Sequence, residues 1–208
     1  MTEPRRHMSM LRSYTWADLL TIFNASCGTI SIFLCLGYIA TDNRRFFWAA
    51  FFLLPGALVF DVLDGYVARL DKRRHSVLGA DLDSLADVIS FGVAPAVLGF
   101  TLGMRGGWDM AILTFFVVCG VSRLARFNAT TEALTNVATG KVKYFEGTPI
   151  PTSVMLVLLL GLAQYLGHVD DQLWFGVRQV GPALLHPLAL IFAASGSAMI
   201  STIRIPKP

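Results

Sequence analysis

The stretch DVLDGYVARLDKRRHSVLGADLDSLAD, residues 61–87, decides the fold because it places six aspartates between two long apolar runs. The rest of the chain is strongly apolar: 54% of its 208 residues are hydrophobic and 15% are charged. A soluble domain of this size carries about a quarter charged residues. Apolar runs long enough to cross a bilayer recur along the whole length. The sequence therefore predicts an all-α integral membrane protein in which residues 1–208 form a single domain.

Six transmembrane helices are predicted, over residues 17–40, 46–69, 80–104, 108–127, 149–167 and 183–203. Lysine and arginine concentrate in the N-terminal tail, near residue 73, between residues 123 and 143, and at the C-terminal end. By the positive-inside rule, both termini and the aspartate-rich hairpin face the cytoplasm. We expect the protein in the cell (inner) membrane. The residues before Trp16 mix apolar side chains with arginines, which is compatible with a short interfacial helix at the N-terminus.

Four of the aspartates are predicted to meet. If the hairpin turns near residue 74, two antiparallel helices bring Asp61 level with Asp87, and Asp64 level with Asp83. Asp61 and Asp64 are three residues apart and Asp83 and Asp87 are four apart, so each pair shares one helix face. We therefore expect four carboxylates to converge about 10–15 Å in from the turn.

Divalent cations are the expected partners of these carboxylates. A charged side chain in a spanning helix costs roughly 2.5–3.5 kcal/mol, and like charges that lie close together repel one another. Oxygen ligands suit Mg²⁺ or Mn²⁺, between which the sequence does not choose. Four carboxylates are enough for two such ions about 3.5–4 Å apart, an arrangement that clamps a phosphate during displacement.

The residues between the aspartates favour a phosphate-bearing ligand. Gly65 and Gly79 permit close approach to the backbone, and Ala68 keeps the face after Asp64 shallow. Arg69 lies one turn after Gly65 and can reach a phosphate oxygen.

The complete pattern resembles the defining motif of the CDP-alcohol phosphotransferase family, with every fixed position filled. It reads Asp61-x2-Asp64-Gly65-x2-Ala68-Arg69-x9-Gly79-x3-Asp83-x3-Asp87. The resemblance implies a six-helix membrane enzyme, usually a homodimer, that moves a substituted phosphate from a CDP-alcohol to a hydroxyl and releases CMP. It implies that all four aspartates bind metal and that Asp87 is also the general base. It further implies a CDP pocket formed by Asp64, Gly65, Ala68, Arg69 and Gly79.

Segments outside the motif resemble the phosphatidylserine synthase branch of that family. They are Thr21-x2-Asn24-x2-Cys27-Gly28, Ser90–Ala96, Arg123–Asn128 and Tyr144–Pro151. This resemblance implies CDP-diacylglycerol as donor and L-serine as acceptor, with the lipid chains in the membrane. Whether the donor carries diacylglycerol or an ether analogue stays open.

Candidate acceptor contacts follow from the charges of serine. Arg123, Arg126 and Lys143 can hold its carboxylate, Glu146 can meet its ammonium, and Asn24 can line the site. The arginine pair is also compatible with anchors that reach lipid headgroups, and Asn24 with a helix–helix hydrogen bond. The same basic residues suit the phosphate of inositol phosphate or glycerol phosphate as alternative acceptors.

A divalent-cation transporter is the alternative from another functional class. Inverted repeats and broken helices would favour it, but the sequence has no internal repeat and its aspartates lie toward one membrane face. Nothing in the sequence indicates a nucleic-acid partner.

Overall fold

A computed structural model describes residues 15–70, 77–135, 144–201 and 204–206. The predicted N-terminal interfacial helix and the turn near residue 74 lie outside these described residues. The α-helices are α1 (Trp16–Thr41), α2 (Arg44–Leu70), α3 (Val77–Asp87), α4 (Ala94–Leu102), α5 (Gly107–Thr135), α6 (Val154–Tyr165) and α7 (Leu190–Ile200). The short strands are β1 (Tyr144–Glu146), β2 (Arg178–Val180), β3 (Ala183–Leu185) and β4 (Arg204–Pro206).

Four helical segments are long and apolar enough to cross a membrane, and two more apolar helices are shorter. The four run over Trp16–Thr41, Arg44–Arg69, Gly79–Leu102 and Gly107–Ala129. The shorter two run over Ile150–Tyr165 and Pro187–Ile200. The predicted helical class and the first four predicted segments are therefore confirmed, while the last two are shorter than the sequence predicted.

The third of these segments is a composite helix. A π-helical turn, Val88–Val93, joins α3 to α4 without a break in the chain direction. Ser90, Phe91 and Gly92 of this turn are buried. Such wide turns inside an α-helix are rare and frequently lie at functional sites.

The predicted start of the sixth helix at residue 183 is wrong. Residues 178–185 instead form an antiparallel hairpin in which β2 pairs with β3. Gly181 adopts a left-handed conformation with φ 61°, and Pro187 cannot donate the backbone hydrogen bond to residue 183 that an earlier helix start would need. The helical run therefore begins at Pro187.

A second strand pair, which was also not predicted, joins β1 to β4. The chain leaves β1 through Gly147, whose φ is 76°. A Cβ atom at Gly147 would lie 2.2 Å from the carbonyl oxygen of Met199, so the turn requires glycine. This arrangement ties the entry to α6 to the end of α7.

Helix α1 is the central packing element because it contacts α2, α3, the π-turn and α4. Its inward face is small and polar, with Asp18, Thr21, Asn24, Gly28 and Ser31 all buried. A Cβ atom at Gly28 would lie only 2.5 Å from Ser90 Oγ. The absence of a side chain at Gly28 thus allows α1 to approach the π-turn closely.

Asp109, at the start of α5, fixes the end of the molecule that carries the β2–β3 hairpin. Its fully buried carboxylate accepts hydrogen bonds from the backbone N–H of Gly106 (2.8 Å) and of His186 (2.8 Å). It also lies 2.6 Å from His186 Nδ1. One side chain therefore caps α5 and anchors the segment that enters α7.

Replacing this carboxylate is expected to destabilise the fold. Asp109→Ala leaves three buried donors without an acceptor, which we expect to lower the free energy of unfolding by about 3 kcal/mol or more. Thermal unfolding of the purified protein in detergent measures the loss. Asp171→Ala, at an exposed position, is the matched control. Equal melting temperatures for the two variants would contradict the anchoring role.

Candidate active site

Three carboxylates from α2 and α3 meet in one cluster. Asp61, Asp83 and Asp87 each offer a carboxylate oxygen, and these three oxygens lie within 4.8 Å of one another. Asp87 is buried, and the other two are partly buried. Because Asp61 lies nine residues before the end of α2, the cluster sits about 14 Å along the helix from that end. The predicted meeting of the two halves of the hairpin is confirmed for these three residues.

Asp64 lies beside this cluster and has a different partner. It is outside the group of three, although it interacts electrostatically with each of its members. Its Oδ2 atom accepts a 2.7 Å hydrogen bond from the hydroxyl of Thr21 on α1, and both side chains are buried. Whether Asp64 joins the cluster as a fourth metal ligand stays a prediction.

The local folding of the chain explains why the carboxylates converge. Helices α2 and α3 both pack on α1, more extensively than on each other, so α1 positions the two halves of the hairpin relative to each other. The side-chain hydroxyl of Ser90 donates a 2.8 Å hydrogen bond to the carbonyl oxygen of Asn24. This bond fixes the chain three residues after Asp87 against α1.

The cluster fits a divalent cation. Among the described residues, the buried Oδ1 atoms of Asp83 and Asp87 have no hydrogen-bond partner, and a buried charged oxygen without a partner is costly. Three carboxylates this close also repel one another. A hard divalent cation with oxygen ligands, such as Mg²⁺ or Mn²⁺, removes both penalties.

The predicted nucleotide-binding residues border open space. A Cβ atom added at Gly65 would meet no atom of the described residues within 4 Å. Ala68 and Arg69 are exposed on the same helix, and Arg69 Nε donates a 2.9 Å hydrogen bond to the carbonyl oxygen of Gly65. Gly79 is partly buried at the start of α3 and takes part in an interaction of its own. This open face beside the carboxylates gives a nucleotide room to lie against α2.

A bulky side chain at Gly65 tests whether the nucleotide lies against this face of α2. Gly65→Leu fills space that the protein itself leaves empty, so we expect near-normal folding but at least a tenfold rise in KM for the nucleotide-linked substrate. Gly56, also on α2, has equally open surroundings, and Gly56→Leu is the matched control. Steady-state kinetics with both variants checks the difference, and equal KM values would place the nucleotide elsewhere.

Arg123 is the predicted acceptor residue that the structure brings to the cluster. It is partly buried on α5 and interacts electrostatically with Asp87. Its buried Nε atom has no hydrogen-bond partner among the described residues. Arg126 is exposed one turn further along α5 and has an interaction of its own. Arg123 is thus the better placed of the two to hold an anion beside Asp87.

The remaining predicted acceptor residues are less well defined. Asn24 is fully buried, and neither polar atom of its side chain has a hydrogen-bond partner among the described residues. The alternative role for Asn24, a helix–helix hydrogen bond through its amide, is therefore not seen in the described part of the chain. Lys143 lies outside the described residues, and only the backbone of Glu146 is described, paired with Arg204.

Sequence reasoning missed several polar contacts around the site. Ser84, next to Asp83, exchanges hydrogen bonds of 3.0–3.2 Å with the side chain of Asn128 on α5. Thr21 and Ser90 make the contacts to Asp64 and α1 described above. The available signal was the spacing of polar residues at three- and four-residue intervals along the apolar α1, which indicates a polar face directed at a partner.

Comparisons with known proteins agree on one family. The family model described as CDP-alcohol phosphatidyltransferase matches residues 14–194. A protein of Saccharomyces cerevisiae named CDP-diacylglycerol–serine O-phosphatidyltransferase is 43% identical over 210 residues, covering 100% of this chain and 76% of its own length. A Helicobacter pylori protein of the same name is 35% identical over 199 residues, covering 93% of this chain and 73% of its own. The archaetidylserine synthase of Methanothermobacter thermautotrophicus is 34% identical over 193 residues, covering 91% and 69%.

Proposed function

The chain belongs to the CDP-alcohol phosphatidyltransferase family, and from that premise we propose that it transfers a phosphatidyl group from CDP-diacylglycerol to L-serine. The products are phosphatidylserine and CMP. The observation that carries the proposal is the cluster of Asp61, Asp83 and Asp87, in a chain whose relatives bear the names of serine-dependent transferases.

Serine is favoured as acceptor by the names of the relatives, and one residue of the site can bind its carboxylate. The relatives' names share serine and differ in the lipid, which is phosphatidyl in two cases and archaetidyl in the third. Within the site, the partly buried guanidinium of Arg123 interacts electrostatically with Asp87. A carboxylate bound by Arg123 would hold the serine hydroxyl near the Asp87 carboxylate.

The chemistry is a single displacement at the phosphorus that carries the lipid alcohol. Asp87 accepts the proton of the serine hydroxyl through one of its carboxylate oxygens. The serine oxygen forms a bond to that phosphorus while the bond from phosphorus to the bridging oxygen of the diphosphate breaks. The bridging oxygen leaves with CMP.

The carboxylates would hold the divalent cations that the reaction needs. We propose that Asp61, Asp83 and Asp87, with Asp64 as the fourth ligand, bind two Mg²⁺ or Mn²⁺ ions. When bound, these ions would neutralise the diphosphate and stabilise CMP as the leaving group. Asp64, Gly65, Ala68, Arg69 and Gly79 would hold the CDP moiety on the open face of α2.

The proposed arrangement in the membrane follows the distribution of charge. We assign six spans to the four long and two shorter apolar helices, with both termini and the aspartate cluster on the cytoplasmic side of the cell (inner) membrane. Residues 1–208 form one domain in this proposal.

A homodimer is proposed from the family; crosslinking in native membranes tests it. Gly196 of α7 is packed against Phe116 of α5, which supports an internal role for the small residues of that helix.

Acceptor identity is the part of the proposal to test. Purified protein with CDP-diacylglycerol and Mn²⁺ is given isotopically labelled L-serine, inositol phosphate or glycerol phosphate in parallel, and the labelled lipid is identified by mass spectrometry. We expect phosphatidylserine alone. If the lipid carries label from another acceptor, the proposed displacement stands and Arg123 binds that acceptor instead of serine. No product from any acceptor would refute the transferase proposal.

A further inference from the structure

Thr21 makes a contact that the proposed chemistry does not itself use. Its hydroxyl lies 2.7 Å from Asp64 Oδ2, and the two residues are 4% and 6% exposed. They belong to different helices, α1 and α2, so the contact is a tertiary one. Within the described part of the chain it is the hydrogen bond that connects the small polar face of α1 directly to one of the four motif aspartates.

The proton of the Thr21 hydroxyl points to Asp64. A threonine hydroxyl has one proton to donate, and the alternative acceptor, the carbonyl oxygen of Ala17, is more distant at 3.2 Å. A hydrogen bond to a charged oxygen is also stronger than one to a neutral carbonyl. The bond therefore holds the Oδ2 atom of Asp64 and restricts the orientation of its carboxylate.

Helix α1 is well placed to fix the orientation of this carboxylate. The bond from Ser90 to Asn24 and the close approach at Gly28 lock α1 to the π-turn that follows Asp87. Thr21 lies one turn before Asn24 on the same face. Thr21 thus connects the α2 half of the aspartate motif to a helix that is already attached to the other half.

We propose that Thr21 is a positioning residue that orients Asp64 toward the divalent cation at the cluster of Asp61, Asp83 and Asp87. The inference rests on the proposed function, since it requires that the carboxylates bind metal. Groups that hydrogen-bond to a ligating carboxylate fix its orientation, and their loss typically weakens metal binding by about 10–100-fold.

Metal affinity without any substrate is the appropriate measurement. Mn²⁺ binding to the purified, detergent-solubilised protein is measured by electron paramagnetic resonance or calorimetry for three variants. Thr21→Val keeps the shape and loses the donor, and Thr21→Ser keeps the donor. Thr29→Val removes a hydroxyl on the same helix whose hydrogen bond runs within that helix, to the carbonyl oxygen of Ala25. We expect Thr21→Val to weaken Mn²⁺ binding by about tenfold or more, and the other two to stay within about twofold of the unaltered protein.

A second background keeps the inference falsifiable if Thr21→Val folds poorly. Thr21→Ala is then measured in the otherwise unaltered protein and in protein carrying Asp64→Ala, where it is expected to cause no additional loss of Mn²⁺ affinity because the carboxylate that Thr21 orients is already gone. Full Mn²⁺ affinity in Thr21→Val and Thr21→Ala, or an equal additional loss in the Asp64→Ala background, would overturn the role of Thr21. Absence of Mn²⁺ binding in the unaltered protein would instead overturn the proposed metal site, and the inference with it.

Discussion

Asp87→Asn is expected to slow turnover by about 100- to 10,000-fold while the protein folds normally. Asparagine has nearly the shape of aspartate, so the buried position next to the π-turn stays filled. It also retains an oxygen that can contact a cation, and saturating metal offsets the weaker binding of a neutral ligand. It cannot accept the proton of the attacking hydroxyl, and the loss should therefore appear in kcat, with KM for CDP-diacylglycerol little changed.

The control for this variant is Asp81→Asn on the same helix. Asp81 is exposed and lies outside the carboxylate cluster, so its replacement should leave kcat within about twofold of the original. Steady-state rates of CMP release are compared at saturating serine and metal. Turnover of Asp87→Asn close to that of Asp81→Asn would show that another group accepts the proton.

Asp83→Asn is expected to abolish the response to metal and yet to raise the stability of the metal-free protein. The three carboxylates of the cluster lie within 4.8 Å of one another, and removal of one charge relieves their repulsion. The same change replaces a charged ligand by a neutral amide oxygen that binds a divalent cation far more weakly, so activity should fall at least about 100-fold. Residues that are required for activity and lower the stability of the fold are common at active sites.

Thermal unfolding with and without Mn²⁺ separates these two effects. The unaltered protein should melt at a higher temperature when Mn²⁺ is added, because the ion binds only the folded state. Asp83→Asn should melt at or above the temperature of the metal-free unaltered protein and should show no shift with Mn²⁺. A lower metal-free melting temperature, or a normal Mn²⁺ shift, would argue against a metal site that includes Asp83.

The sequence was sufficient for the features that depend on regular helical spacing. Asp61 in one apolar run and Asp83 and Asp87 in the next are separated by a basic segment, and helix geometry with a turn in that segment predicts that they meet. The length of apolar runs likewise placed the first four membrane-spanning segments. One inference uses helical spacing and the other the length of apolar runs. Both are properties of a local stretch of sequence, so neither depends on contacts between distant segments.

The features that the sequence did not reveal depend on contacts between distant segments. The π-turn after Asp87 is stabilised by the close packing of Ser90 against Gly28, 62 residues earlier in the sequence. The bond from Thr21 to Asp64 depends on the rotation of α1 relative to α2, which periodicity does not determine. The β2–β3 hairpin was missed because its apolar residues continue the pattern of the following helix, although Gly181 and Pro182 mark a turn.

The most direct test of the central claim is CMP release from CDP-diacylglycerol by the purified protein, measured with and without Mn²⁺ and with and without L-serine. If the carboxylates of α2 and α3 hold the cation on which transfer to serine depends, CMP should appear only when both are present. A metal chelator should stop the release, and added Mn²⁺ should restore it. Sustained CMP release in excess chelator, with phosphatidylserine still formed, would contradict the account.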